Sequence, residues 1–236
     1  NKREDLNDGT GRSSKKECVL PCVLKESLLK INPHIPEEII NDVIKTLVRD
    51  FSATDIVATN YELYNKIRNQ IKVKVRRNGK DDFDFVKLID FDTPSNNNFT
   101  AVSQMWVQGK LYWRRPDVLL FINGLPIVFI ELKNSVVKVE EAYNKNLQDY
   151  IKDVPNLFAF NQICVLSNGL ETRLGAFNAT YDYFFEWLKV DSEKEKPNRG
   201  DIRENGVSIV YFIEGLLKKE RLLDYVENFV LFEKTL

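Results

Sequence analysis

The sequence holds one histidine, one methionine and three cysteines in 236 residues. One imidazole cannot build a histidine-rich zinc cluster. Serine–histidine or cysteine–histidine catalysis would have to run through His34, and INPHIPEE around it suggests no triad. Cys18, Cys22 and Cys164 do not make a disulfide framework, and Cys18 and Cys22 stand four apart, which is not a CxxC spacing. They read as buried thiols of a protein in a reducing cytoplasm. No apolar run reaches the roughly 18 residues of a membrane span, and the polar start NKREDLNDGTGRSSKKE has no apolar signal core. GxxxxGK[ST] does not occur, which excludes a Walker-type ATP site in this chain. A basic excess is missing too: 34 Lys and Arg face 35 Asp and Glu. That argues against a simple DNA-binding module but leaves room for a local basic groove. Catalytic chemistry then falls to carboxylates and lysines.

What is present points to one α/β domain with appendages. Hydrophobic residues make up 43%, enough to bury a sizeable core. Residues 1–17 read as a flexible N-terminal segment. Helices are expected over 19–31, 36–51 and 60–70; in the second, Ile39, Ile40, Val43, Ile44, Leu47, Val48 and Phe51 recur at helical spacing. The period then changes. IKVKVRR (71–77) alternates apolar and basic as a strand with one wet face does, and Asn78-Gly79 marks a turn. Further strands are expected at 84–90 and 101–108. A helix follows at about 138–152, then a buried strand QICVLS (162–167), a turn at Asn168-Gly169 and the run LETRLGAF (170–177). Residues 181–189 read as an aromatic-rich helix whose rings pack against the protein. The charged stretch 191–206 reads as a linker, and 207–236 as a closing helical segment.

The central stretch carries the chemistry. DVLLFI (117–122) and IVFIELK (127–133) are apolar runs of the kind buried on both faces of a sheet, joined by the turn residues NGLP. Residues two apart in a strand share a face, so Glu131 and Lys133 project together. Asp117 opens the preceding strand and can face them across the hairpin. Charges emerging from such apolar strands are rarely tolerated unless paired or metal-bound. Two carboxylates suit Mg²⁺, a hard cation that takes oxygen ligands, and a lysine beside them can steady negative charge on a phosphate. Lys72, Lys74, Arg76, Arg77 and Lys80 form one basic stripe. Lys110, Arg114 and Arg115 form another beside Asp117, suited to phosphate contacts. Asp90 and Asp92 in IDFD read as structural, holding the loop that follows.

The run RRPDVLLFINGLPIVFIELKN (114–134) resembles the PD-(D/E)xK nuclease motif in the N-terminal region of the R (restriction) subunit of type I restriction–modification enzymes. KINPHIPEE (30–38), KLIDFDTPSNNNF (87–99), EAYNKNLQDYIKDVPNLFAFNQ (141–162), LSNGLETRLG (166–175) and KERLLDYVENFVLFE (219–233) extend the resemblance in the family's order. It implies a restriction-endonuclease-like α/β fold, a mixed central sheet flanked by helices, with the nuclease domain over 18–190. It implies that Asp117 and Glu131 bind Mg²⁺ and that Lys133 is the catalytic lysine; no third carboxylate is assigned. The family's QxxxY on the next helix corresponds here to Asn146 and Tyr150, which with Arg114 and Arg115 are expected to contact DNA. The implied function is metal-dependent hydrolysis of DNA phosphodiester bonds. Its expected partners are the modification and specificity subunits and motor domains of the same polypeptide, which use ATP outside this chain. A repair or junction nuclease of the same fold, or a non-catalytic DNA-gripping module, are the rival readings.

Overall fold

The computed structural model describes residues 6–77, 79–192 and 194–233. Three helices come first: α1 (Pro21–Ile31), α2 (Glu37–Leu47) and α3 (Ile56–Asn69). Pro21 suits the first turn of α1, where its missing N–H costs nothing. In α2 the buried residues are Ile40, Val43, Ile44 and Leu47, the stripe that the helical spacing predicts. The third helix starts earlier than expected because Asp55 caps it, accepting bonds from the backbone of Val57 and Ala58.

Strands β1 (Ile71–Arg77) and β2 (Lys80–Val86) form a separate antiparallel hairpin. Gly79 at its tip takes a positive φ, while Asn78 of the expected turn lies outside the described residues. The stretch 88–90, expected to extend a strand, is a loop. Asp90 holds it, accepting from the Thr93 backbone and the Asn96 amide. Then come β3 (Phe99–Ser103) and the short β4 (Val107–Gln108) and β5 (Trp113–Arg114), which pair with each other.

The centre of the molecule is a six-stranded sheet in the order β10 (Phe185–Glu186), β9 (Thr172–Gly175), β8 (Ile163–Ser167), β7 (Leu125–Leu132), β6 (Val118–Ile122) and β3. Its heart is the hairpin of β6 (Val118–Ile122) and β7 (Leu125–Leu132). Asn123 and Gly124 both take positive φ at its turn. A Cβ at Gly124 would lie 2.6 Å from the Leu20 carbonyl oxygen, so only glycine fits beneath α1. Asn123 is fully buried. Its amide donates to Leu88 O and Asn97 Oδ1, and its Oδ1 accepts from Asn98 N. Strand β8 (Ile163–Ser167) lies parallel to β7, and all other pairings are antiparallel, so the sheet is mixed.

Each sheet face meets its own core. Ile122, Ile130, Ile163 and Val165 pack with α1, α2, α7 (Ser208–Leu216) and α8 (Lys219–Asp224). Leu119, Phe121, Phe129, Cys164 and Leu166 pack on the other face. That second face is covered by a continuous helical segment: α4 (Val139–Glu141), a π-helical turn (Ala142–Leu147) and α5 (Gln148–Asp153). Its buried positions run 139, 142, 147, 150 and 153. The five-residue step from Ala142 to Leu147 spans the π-turn and keeps the apolar side on the sheet.

Several expectations are corrected. Residues 6–17 are not a free tail where Arg12 lies. Its guanidinium is fully buried, paired with Asp8 and bonded to Thr10 and to the carbonyls of Glu17 and Trp106. The aromatic run 181–189 forms no α-helix. It makes a 3₁₀ turn (Tyr181–Tyr183) and the edge strand β10 (Phe185–Glu186), with Phe184 buried and Phe185 exposed in strand-like alternation. The stretch 191–206 contains α6 (Arg199–Asn205), capped by Asn198 and closed by Gly206 at positive φ. Of the cysteines, Cys18 and Cys164 are buried but Cys22 is exposed, and all three are free. No helix among the described residues is long and apolar enough to cross a membrane.

Candidate active site at the end of the central hairpin

Strand parity decides where the three reactive groups point. Val118 pairs with Ile130, so Asp117 and Glu131 stand at the next position along the hairpin. Asp117 is in step with Leu119 and Phe121, and Glu131 and Lys133 are in step with Phe129. All of those apolar partners belong to the face covered by the α4–α5 segment. Asp117, Glu131 and Lys133 therefore share one face, as the sequence reading requires.

The contacts hold them together. One oxygen of Asp117 accepts a hydrogen bond from the backbone N–H of Leu132 at 2.8 Å. The Lys133 ammonium lies 2.7 Å from Oε1 of Glu131, and the Lys133 backbone N–H donates to Ser167 O on β8. Glu131 is 3% exposed. Its second oxygen, Oε2, is buried without a hydrogen-bond partner among the described residues. The Tyr150 hydroxyl stands close enough to favour the ionised carboxylate. The Tyr150 ring lies edge-on to Phe129, with centroids 5.1 Å apart.

Electrostatics follow from this packing. Burial pushes the Glu131 carboxyl above its ordinary range; the Lys133 hydrogen bond pulls it down, and the Asp117 charge pushes it up again. Burial, with the charges of Glu131 and Asp117 next, raises the Tyr150 hydroxyl far above a free phenol. Tyr150 thus keeps its proton at any working pH and can donate.

The other expected contact residues divide. Arg114 faces α5: its guanidinium donates to Asp153 through Nε at 2.8 Å and through Nη2, and lies 3.1 Å from Asp149. Arg115 is exposed and sits over the Trp106 ring, 5.2 Å from its centroid. Asn146 lies half-buried within the π-turn and makes no side-chain hydrogen bond among the described residues. The structure thus brings Tyr150 to the carboxylates, ties Arg114 to a helix, and leaves Arg115 facing solvent. Asp149 and Asp153 were not singled out in the sequence. Thirty-nine positions separate Asp153 from Arg114, and no local pattern links them.

The donor set fits a divalent cation on one observation: a buried carboxylate oxygen lacking a partner beside a second carboxylate. No group of three or more His, Cys, Asp or Glu side chains suited to a metal occurs among the described residues. Two acids suit an ion that retains much of its hydration, as Mg²⁺ does.

A mixed sheet flanked by helices, with the acids and lysine at the end of its central hairpin, defines a restriction-endonuclease-like α/β protein. The chain belongs to the family described as the type I restriction enzyme R protein N terminus, whose profile matches residues 1–183. It is 34% identical over 215 residues to the type I restriction enzyme HindI endonuclease subunit of Haemophilus influenzae, covering 89% of this chain and 20% of that protein. It is 32% identical over 240 residues to the putative type I restriction enzyme MjaIXP endonuclease subunit of Methanocaldococcus jannaschii, covering 94% and 23%. The chain thus spans about a fifth of the length of these relatives.

Proposed function

We propose that this chain is the DNA-cleaving domain of a type I restriction enzyme R subunit, with residues 18–190 forming the nuclease. Asp117 and Glu131 hold Mg²⁺ and Lys133 serves catalysis. The observation that carries this reading is the orphaned Oε2 of Glu131, next to Asp117 and the Lys133 ammonium. A bound divalent ion supplies Lewis acidity toward a phosphoryl oxygen. The carboxylates anchor it from one side. Lys133, one fifth exposed on its side chain, reaches from the buried carboxylate toward solvent, where negative charge develops on the scissile phosphate. The Tyr150 hydroxyl beside Glu131 favours its ionised form.

Within the whole enzyme the partners are DNA, the modification and specificity subunits, and ATP-driven motor domains of the same polypeptide, working in the cytoplasm. The absence of a base-reading motif in this chain agrees with recognition residing in another subunit. The test is cleavage by the reconstituted complex carrying Lys133→Ala. We expect loss of cutting by about 10²–10³-fold or more, with ATP hydrolysis retained. Unchanged cutting overturns the assignment. Cutting absent from the unaltered complex, with no carboxylate-dependent Mn²⁺ binding, identifies a DNA-gripping module instead.

A further inference from the structure

The two edges of the β1–β2 hairpin differ. Along β2 the backbone N–H of Phe83 donates to Asp82 Oδ1 and that of Phe85 to Asp84 Oδ1, each at 2.8 Å. These amides therefore point away from β1, and carboxylates block them against a further strand. Phe83 stands opposite Lys74, and Phe85 opposite Lys72. In an antiparallel ladder the two residues of such a pair face outward together, so the N–H and C=O of Lys72 and Lys74 lie on the outer edge of β1. The hairpin is a two-stranded sheet, and no hydrogen bond reaches those groups among the described residues.

A groove of about 330 Å³ runs beside this open edge, between α2 and β1. Ile39, Val43, Ile71 and Val73 give it apolar walls, and Asp42 lies at its rim. The opposite face of β1 is cationic: Lys72, Lys74 and Arg76 are all exposed, beside Phe83 and Phe85 at 52% and 49% exposure. β2 runs on into Lys87 and Leu88, which Asn32 and Asn123 hold at the turn end of the β6–β7 hairpin. Asp117 and Glu131 stand at the other end of that hairpin.

We propose that the outer edge of β1 is a docking site for an extended segment of a partner protein in which apolar and acidic residues alternate. The segment adds a third strand to the hairpin. Its backbone pairs with the free groups of Lys72 and Lys74, the mode by which exposed edges capture peptides. Strand alternation then places every second side chain over the apolar groove and the others beside Lys72, Lys74 and Arg76, where acidic residues complement them. The apolar groove and the unpaired backbone favour a peptide over a nucleic acid, which has use only for the cations. The candidate active site stays open when the segment is bound.

The test is anisotropy of a labelled synthetic peptide alternating valine and glutamate, titrated with the chain. It binds, and amide exchange at Lys72 and Lys74 slows on binding. Alternate amides of the peptide face β1, so N-methylation of every second residue weakens binding about tenfold or more in one phase and little in the other. Lys74→Pro removes an outward N–H without cutting a β1–β2 bond and also weakens binding. Lys72→Glu/Lys74→Glu changes only exposed side chains; it loses the valine–glutamate peptide and gains a valine–lysine one, which decides the matter if the proline variant fails to fold. No binding, equal loss in both N-methylation phases or no switch on charge reversal overturns the proposal. So does displacement of the peptide by a short DNA duplex that binds this face more tightly, which identifies a phosphate grip instead.

Discussion

The carboxylate of Asp117 accepts a hydrogen bond from the backbone N–H of Leu132, the residue between Glu131 and Lys133. One candidate ligand thereby pins the segment that carries the other two groups. Glu131 and Lys133 are in turn joined by their own ion pair. The three groups are preorganised by the protein, so the proposed metal site would need little reordering.

Asp117→Asn and Asp117→Ala separate these roles. Asparagine retains an oxygen for the Leu132 N–H but loses the negative charge. We expect Asp117→Asn to abolish Mn²⁺ binding in calorimetry while leaving the unfolding midpoint nearly unchanged. Asp117→Ala loses binding and also costs about 1 kcal/mol of stability. Equal Mn²⁺ affinity in Asp117→Asn would show that this carboxylate is not a ligand.

Glu131 makes stability depend on pH with a definite sign. Its folded-state pKa lies above the ordinary 4.5 because of burial. Between the two values the folded chain keeps a proton that the unfolded chain has lost. Stability from this group therefore falls as pH rises through that window. Glu131→Gln removes the effect, so relative to the natural chain it gains stability as pH rises above 4.5, measured by denaturant unfolding without metal. Added Mn²⁺ should stabilise the natural chain and not the variant. A pH-independent difference rejects the burial argument.

The same raised pKa makes protons compete with metal. Mn²⁺ affinity should fall on acidification, with proton release on binding that persists above pH 4.5, where an ordinary glutamate has already lost its proton. Calorimetry in buffers of different ionisation enthalpy counts those protons. No proton release near the folded pKa of Glu131 excludes it as a ligand.

Arg114 is a strut between β5 and α5. The Asp153 side chain is 5% exposed, so Arg114→Ala leaves a nearly buried carboxylate unpaired, at a cost of about 3–5 kcal/mol. Arg114→Lys should recover only part of this, because Asp153 takes two guanidinium donors. If Arg114 instead serves mainly to grip phosphate, Arg114→Ala lowers DNA affinity and leaves the unfolding midpoint in place.

Asn123 ties the central hairpin to the loop after β2. Asn123→Ala removes three side-chain hydrogen bonds in a buried setting and puts alanine at a positive φ. A loss of about 3 kcal/mol or more is expected in chemical denaturation. Asn123→Gly relieves the backbone strain but not the lost bonds, and should fall between.

Much of the site's geometry is legible in the sequence. The runs VLLFI and IVFI are apolar at consecutive positions, as strands covered on both faces are, and β6 and β7 are those strands. The positive-φ turn residues Asn123 and Gly124 fix their pairing. The aromatic stretch at 181–189 misled because ring content says nothing about period. Phe184 inward and Phe185 outward is a strand signal, and pairing with β9 enforced it. The charged stretch before α7 hid a capped helix, since its cap and closing glycine are single residues in a polar background.

By itself the sequence determined the hairpin, and with it the shared face of Glu131 and Lys133, because strand parity is a local property with a period of two. Tertiary structure decided which distant groups meet those side chains: Tyr150 at Glu131, Asp153 at Arg114, and the Arg12 brace beneath Trp106. A residue's face is set by its own element. Its partner depends on how elements stack across tens of positions, and no periodicity along the chain encodes that.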